Sequence, residues 1–232
     1  TKLVYGTMGA FMPEPVQLAS GYLHSAVTIL FLLLVVRDAL LLLTWPFRRS
    51  TGRQRKIFYG HKEKKPASGF WAFTLVLLAL ALSGYGMREA LRVPPVREVR
   101  MQVPGLPDAL NGFRIAQLSD LHIGPTFGKA WLTDVVARTD SLNPDLIVIT
   151  GDVVDGSPSR LEEDVAPLAD LKAKYGVIFA PGNHEYYSGI QQWLPVFQRL
   201  GMHVLMNENT QIRVNGTPLA IAGVTDTAAL NW

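Results

Sequence analysis

Asp120, His122, Asp152, Asn183 and His184 are the residues of this chain whose types and spacing best suit chemistry. Asp120 and His122 lie two apart, so on a chain leaving a strand both side chains point the same way. Asp152 follows Gly151 and offers two oxygens, enough to bridge a pair of cations; Asn183 follows Gly182 and offers a neutral carbonyl oxygen. Oxygen and imidazole donors in this mixture suit borderline divalent ions such as Mn, Fe or Zn, and a chain with no cysteine has no thiolate for a softer site. Alone, each residue has a plain explanation: a turn cap for Asp120, a core position for His122, a strand exit for Gly151-Asp152, a turn for Gly182-Asn183. Their recurrence at the ends of successive apolar runs is what singles them out.

Those runs are Phe113 to Leu118, Leu146 to Ile149 and Val177 to Ala180. Short, rich in Val and Ile and separated by helical patterns, they read as buried parallel strands joined by crossover helices. Ligands of an open α/β sheet bind outside the carboxyl ends of its strands, where all three polar clusters fall. Helices are expected over Lys129 to Leu142, Pro158 to Lys174 and Ser188 to Leu200, a strand over His203 to Met206, and a hairpin around Asn215-Gly216 in which Pro218 limits the regularity of the second strand. Asp155, before Gly156-Ser157-Pro158, reads as turn chemistry. Glu185 has two open readings, orienting His184 or solvating its loop. His203 reads as a packing residue, His24 and His61 as structural or interfacial ones, and Asp226 is assigned no role.

Asp120-Leu-His122, Gly151-Asp152 and Gly182-Asn183-His184-Glu185, in this order, resemble the first three motifs of the calcineurin-like metallophosphoesterases, and most of all their membrane-anchored bacterial branch. The likeness covers residues 107–232. It implies the first half of a four-layer αββα sandwich and hydrolysis of a phosphate mono- or diester by a water activated on two divalent metal ions. By the same resemblance Asp120 and His122 bind the first metal, Asp152 bridges, Asn183 binds the second, and His184 stays off the metals to assist the leaving group as the catalytic residue. A paired acid would keep His184 protonated beside the cations.

Before this domain the chain is built differently. Residues 1–21 read as a loop, 22–46 and 69–86 as transmembrane helices, 47–68 as a basic cytoplasmic linker, and 87–106 as a further linker with an edge strand from Val96 to Val103 bounded by prolines. Arg37 and Asp38 interrupt the first span, and as helix neighbours they point apart and cannot simply neutralise each other. The net charge of +3 is concentrated between the apolar segments, with Arg48, Arg49, Arg53, Arg55, Lys56, Lys62, Lys64 and Lys65 against Glu63. That placement is a topology signal, setting the linker in the cytoplasm and the catalytic domain outside it, and it argues against nucleic acid as a partner.

The family's later histidine motifs, an isolated histidine and a Gly-His-x-His element, do not follow His184. The second metal is then left with the bridge and an amide, which suggests that the carboxyl-terminal part of the domain is missing; a first residue of Thr with no signal-peptide organisation over Thr1 to Gly21 suggests a missing natural start as well. The resulting expectation is a phosphoesterase of a bacterial inner or plasma membrane, its partners the lipid bilayer and a phosphoester substrate that the anchor suggests is lipid-linked. The competing expectation is a catalytically incomplete or degenerate membrane protein using its α/β domain as a binding module.

Overall fold

A computed structural model describes residues 14–50 and 68–231, which fall into two compact units, residues 1–90 and 91–232. The first unit holds two long helices, α1 (Glu14–Ser50) and α2 (Ser68–Ala90), both long and apolar enough to cross a membrane. Helix α1 begins inside the segment expected to be a loop. Its first turn contains Pro15, whose missing N–H has no helical partner to lose there. Most of the basic linker, residues 51–67 with His61 among them, lies outside the described residues.

Where α1 and α2 meet, the contact carries a polar cluster. Tyr22 donates through its hydroxyl to the Leu80 carbonyl at 2.9 Å, Ser83 donates to the Tyr22 carbonyl at 3.0 Å, and the hydroxyls of Ser25 and Ser83 touch. Most of the other large side chains of both helices face outward, among them Phe31, Leu42, Phe70 and Trp71. Arg37 and Asp38 depart from expectation: the guanidinium folds back along the helix and pairs with its neighbour, Nη2 to Oδ1 at 2.7 Å. The length and flexibility of the arginine stem overcome the divergence of adjacent helical positions.

The second unit is a parallel sheet of β1 (Ile115–Leu118), β2 (Leu146–Ile149), β3 (Val177–Phe179) and β4 (Met202–Val204), in that spatial order. Right-handed crossovers are the rule for parallel strands, and with sequential strands as neighbours that rule sends every connecting helix to one face. That face takes Ala116, Ile147, Ile149, Val177 and Phe179 into one core with α3 (Lys129–Asp140), α4 (Pro158–Val165) and α6 (Ile190–Arg199). Trp193 of α6 stacks on Phe197, which meets Phe179, and the Trp193 indole donates to the Gly156 carbonyl at 2.9 Å, tying α6 to the loop after β2.

The alternate residues Leu146, Val148 and Ile178 face the other way and pack with Leu205 and Ile221, the latter from a hairpin of β5 (Glu208–Val214) and β6 (Thr217–Gly223). Asn215 and Gly216 turn that hairpin with φ of 49° and 85°, and Pro218 sits in register opposite Arg213. The domain thus comprises a helix layer, a parallel sheet and a hairpin against the opposite face.

Four local expectations change. Residues 93–103 carry no strand pairing instead of forming an edge strand from Val96 to Val103. The helix expected to continue to Lys174 gives way after Val165 to a 3-10 turn over Ala166–Asp170, where Pro167 cannot donate. The helix expected from Ser188 is preceded by a short α5 (Asn183–Tyr187), with Gly189 at φ 92° breaking the chain between α5 and α6. His203, expected to pack, is exposed on β4.

Candidate metal centre

Because β1, β2 and β3 are adjacent and parallel, their carboxyl ends lie side by side, and the chain exits stay joined beyond the sheet. Asp120 donates its N–H to the Gly151 carbonyl at 3.2 Å, His122 to Asp152 at 3.0 Å and Ile123 to Val153 at 2.8 Å. Asp120, His122 and Asp152 achieve this with φ of 56°, 47° and 54°. Left-handed backbone costs an ordinary residue about 1–2 kcal/mol, and such outliers gather at functional sites. The extended, period-two path expected for Asp120 and His122 is therefore replaced by two left-handed residues. Their side chains still converge, His122 Nε2 lying 3.8 Å from Asp120 Oδ1.

The exits of β2 and β3 approach more closely than side chains would permit. A Cβ on Gly151, whose φ is 86°, would overlap the backbone N and Cα of Gly182; one on Gly182 would overlap Asp152 Oδ1. Only hydrogen fits at these two positions.

Glu185, 0% exposed, lies behind this contact. Its Oε2 accepts from the N–H of Gly182 at 2.8 Å and of Asp152 at 2.9 Å; its Oε1 accepts from Val153 at 2.7 Å and Val154 at 3.3 Å. Burial pushes its carboxyl above the ordinary range, against the pull of the Gly182, Val153 and Asp152 amides, and the Asp152 charge adds to the push. Neither open reading of Glu185 describes this: it touches backbone, not His184 and not solvent.

In front of the contact, Asp155 Oδ1 faces the Nδ1 atoms of both histidines, at 3.1 Å from His122 and 2.5 Å from His184. The rings stand edge to face, centroids 4.4 Å apart. With Nδ1 occupied, each imidazole has its Nε2 free, and the acid fixes the ring plane in the way ligand histidines are oriented. The His184 N–H donates to Asp152 Oδ1 at 2.9 Å. Asn183 turns its amide toward the same carboxylate, the nearer amide atom 3.2 and 3.1 Å from the two oxygens. As Nδ2 that atom donates; as the carbonyl oxygen it can face them only across a cation.

Residues 113–227 match the family model for calcineurin-like phosphoesterases. The chain carries a calcineurin-like phosphoesterase domain. It is 36% identical over 173 residues to a transmembrane protein with metallophosphoesterase domain of Danio rerio, covering 72% of this chain and 40% of that protein. A Campylobacter jejuni protein described as an uncharacterized metallophosphoesterase is 31% identical over 159 residues, covering 68% of this chain and 41% of its own length, and one of Aquifex aeolicus is 32% identical over 151 residues, covering 65% and 56%. The chain thus spans about two fifths of the first relatives it matches. They come from animals and bacteria alike. No solved structure matches.

The phosphoesterase domain offers a donor set that fits a divalent ion. Donor atoms of His122, Asp152 and His184 lie within 4.8 Å of one another. The 3.8 Å between His122 Nε2 and Asp120 Oδ1 is too long for a hydrogen bond, yet two donors each at about 2.0–2.2 Å from one ion can be as much as about 4.3 Å apart. Sequence reasoning gave Asp155 to turn chemistry and left Glu185 open between orienting His184 and solvating its loop. The signals available were the Asp152-x-x-Asp155 spacing at a strand exit and a glutamate three residues after Gly182, the side-chain half of a capping box.

Proposed function

We propose that the phosphoesterase domain hydrolyses a phosphate mono- or diester with two divalent cations of the Mn, Fe or Zn class, within a protein held in a lipid bilayer by α1 and α2. Asp120 and His122 would hold the first cation, Asp152 would offer oxygens to both, and the Asn183 carbonyl oxygen would serve the second. Such cations, bound there, supply an acidified water and a clamp for the phosphoryl oxygens. His184 works beside them: Asp155 holds its Nδ1, and Nε2 delivers a proton to the leaving oxygen. The observation that carries the reading is the convergence of His122, Asp152 and His184 from three separate strand exits onto one small volume.

Membrane anchorage is supported by the length and apolarity of the two helices and by the naming of the Danio rerio and Bos taurus relatives as transmembrane proteins. The basic residues between the helices favour a cytoplasmic linker and an extracytoplasmic catalytic domain, and the anchor favours a lipid-linked substrate. A reporter fused after Trp232 and active only in the cytoplasm would reverse that topology.

The deciding assay is Mn²⁺-dependent hydrolysis of bis(p-nitrophenyl) phosphate by the whole protein in membranes. We expect chelation to abolish turnover and Asp152→Asn to lower it by more than about 100-fold, the upper end of what losing a mere outer-shell partner costs. Turnover that survives both treatments excludes the reading, and absence of turnover with Mn²⁺ still bound favours the binding-module alternative.

A further inference from the structure

We propose that Glu185 is the positioning residue of the metal centre: by accepting from the backbone of both strand exits at once, it sets the separation at which Asp152 and Asn183 meet a shared cation. The inference rests on the metal-site reading above and adds a role for a residue that touches neither cation nor substrate.

One oxygen, Oε2, receives the N–H of Gly182 and the N–H of Asp152, so a single atom spans the two exits. The other, Oε1, receives Val153 and Val154 from the same side as Asp152. All three donors on this side, Asp152, Val153 and Val154, belong to the segment whose left-handed residue Asp152 needs outside support. Gly151 and Gly182 meet backbone to backbone; in front of that contact Asp152 Oδ1 accepts the His184 N–H, and behind it no other buried side chain is hydrogen-bonded to both exits among the described residues. There the buried carboxylate fixes their spacing. Glu185 is also two residues from Asn183 on α5, so the anchor of the spacing and one of the residues being spaced share one turn of helix. Among the described residues no basic side chain forms a salt bridge with Glu185, and the hydrogen bonds it accepts come from backbone alone.

A carboxylate can do this and an amide cannot. Glutamine keeps the shape but has one acceptor oxygen; its NH₂ must face either the Gly182 and Asp152 amides or the Val153 and Val154 amides, donor against donor. Either way one part of the join is released. Displacing a ligand by less than an ångström is enough to weaken a metal site, and loss of a supporting partner commonly costs 10-fold to about 100-fold in metal affinity.

The experiment measures Mn²⁺ affinity by electron paramagnetic resonance on the full chain in detergent, for wild type, Glu185→Gln, Glu185→Asp and Leu168→Ala. Leu168, buried in the helix-face core and without a hydrogen bond to either exit, serves as a control of comparable lost stability. We expect Glu185→Gln to bind Mn²⁺ at least about tenfold more weakly, Glu185→Asp to fall between it and wild type, and Leu168→Ala to bind as wild type does although it melts earlier. Glu185→Gln binding within twofold of wild type while melting as early as Leu168→Ala overturns the proposal, reducing Glu185 to a core residue. Should the glutamine variant not fold, Glu185→Asp against the same control decides by the same criterion. Amide hydrogen exchange of the metal-free chain separates this proposal from the metal reading. If wild type takes up no Mn²⁺ but Asp152, Val153, Val154 and Gly182 lose protection only in the Glu185 variants, the phosphoesterase reading fails and the anchor stands; if those amides keep their protection, the anchor fails.

Discussion

In the helical hairpin the polar side chains Tyr22, Ser25 and Ser83 lie between two elements and hold them together, while the outward surface is apolar. In the α/β unit the interior of the sheet is apolar and the polar side chains stand at the strand ends, facing one another across a gap. Hydroxyls in the first setting satisfy each other and nearby carbonyls, leaving nothing to bind. Carboxylates and imidazoles in the second leave donor atoms over: His122 Nε2, His184 Nε2, an exposed Asp120. The contrast teaches that hydrogen bonding alone does not distinguish a joint from a site. What does is whether the partners exhaust one another's capacity.

The strongest way to break the site without touching a donor atom is to push the strand exits apart. Gly151→Ala would place a methyl group on the backbone of Gly182 at a position already in the left-handed region. We expect a loss above about 4 kcal/mol in urea unfolding of the purified chain, the scale reserved for backbone conflicts and cavities. Gly176→Ala is its control, with φ of 83° but nothing within 4 Å of the added methyl group; about 1 kcal/mol is expected there. Equal losses in the two variants would mean that the close approach of Gly151 and Gly182 does not hold in solution.

Next in size is Asp155→Asn, which keeps the shape of the loop and changes what faces the histidines. An amide oxygen can accept from one Nδ1 but carries no charge to hold a protonated ring. Turnover should fall by about 10²- to 10⁴-fold, the range for a positioned acid or base, while Mn²⁺ affinity changes less than turnover because His122 keeps its Nε2. A larger fall in Mn²⁺ affinity than in turnover would show that Asp155 serves His122 as a ligand's support and does little for His184.

The strands and the hairpin were legible in one dimension. Leu146 to Ile149 and Val177 to Phe179 coincide with apolar runs, and Asn215-Gly216 turns where its residue types require. So were the residues that approach one another, since Asp120, His122, Asp152, Asn183 and His184 all end apolar runs. Asp155 and Glu185 were not, because their roles depend on alignment between exits. The parallel bridge of Ile123 with Val154 and the left-handed turns at His122 and Asp152 bring Asp155 under both imidazoles; the Asp152-x-x-Asp155 spacing marks a nearby acid but does not encode that register. The break between α5 and α6 was hidden for a related reason: Gly189 reads as one tolerated glycine until its φ of 92° is seen. Arg37 and Asp38 show the reverse error, a rule about helical directions defeated by a long side chain.

The smallest expected effect tests the other half of the comparison. Ser83→Ala removes the donor to the Tyr22 carbonyl and the partner of the Ser25 hydroxyl. If the hairpin's polar cluster is a saturated joint, its loss should cost only about 0.6 kcal/mol, the average for hydrogen bonds between membrane helices, because the Tyr22 carbonyl retains other donors and Ser25 still donates to it. Thermal unfolding of the chain in detergent should therefore shift little, and hydrolysis in membranes should not change at all. A Ser83→Ala variant that unfolds as readily as Gly151→Ala would mean that the joint has no spare capacity and that the hairpin depends on one serine. A variant that folds normally but loses turnover would mean that the hairpin takes part in the chemistry, and the division between joint and site would have to be redrawn.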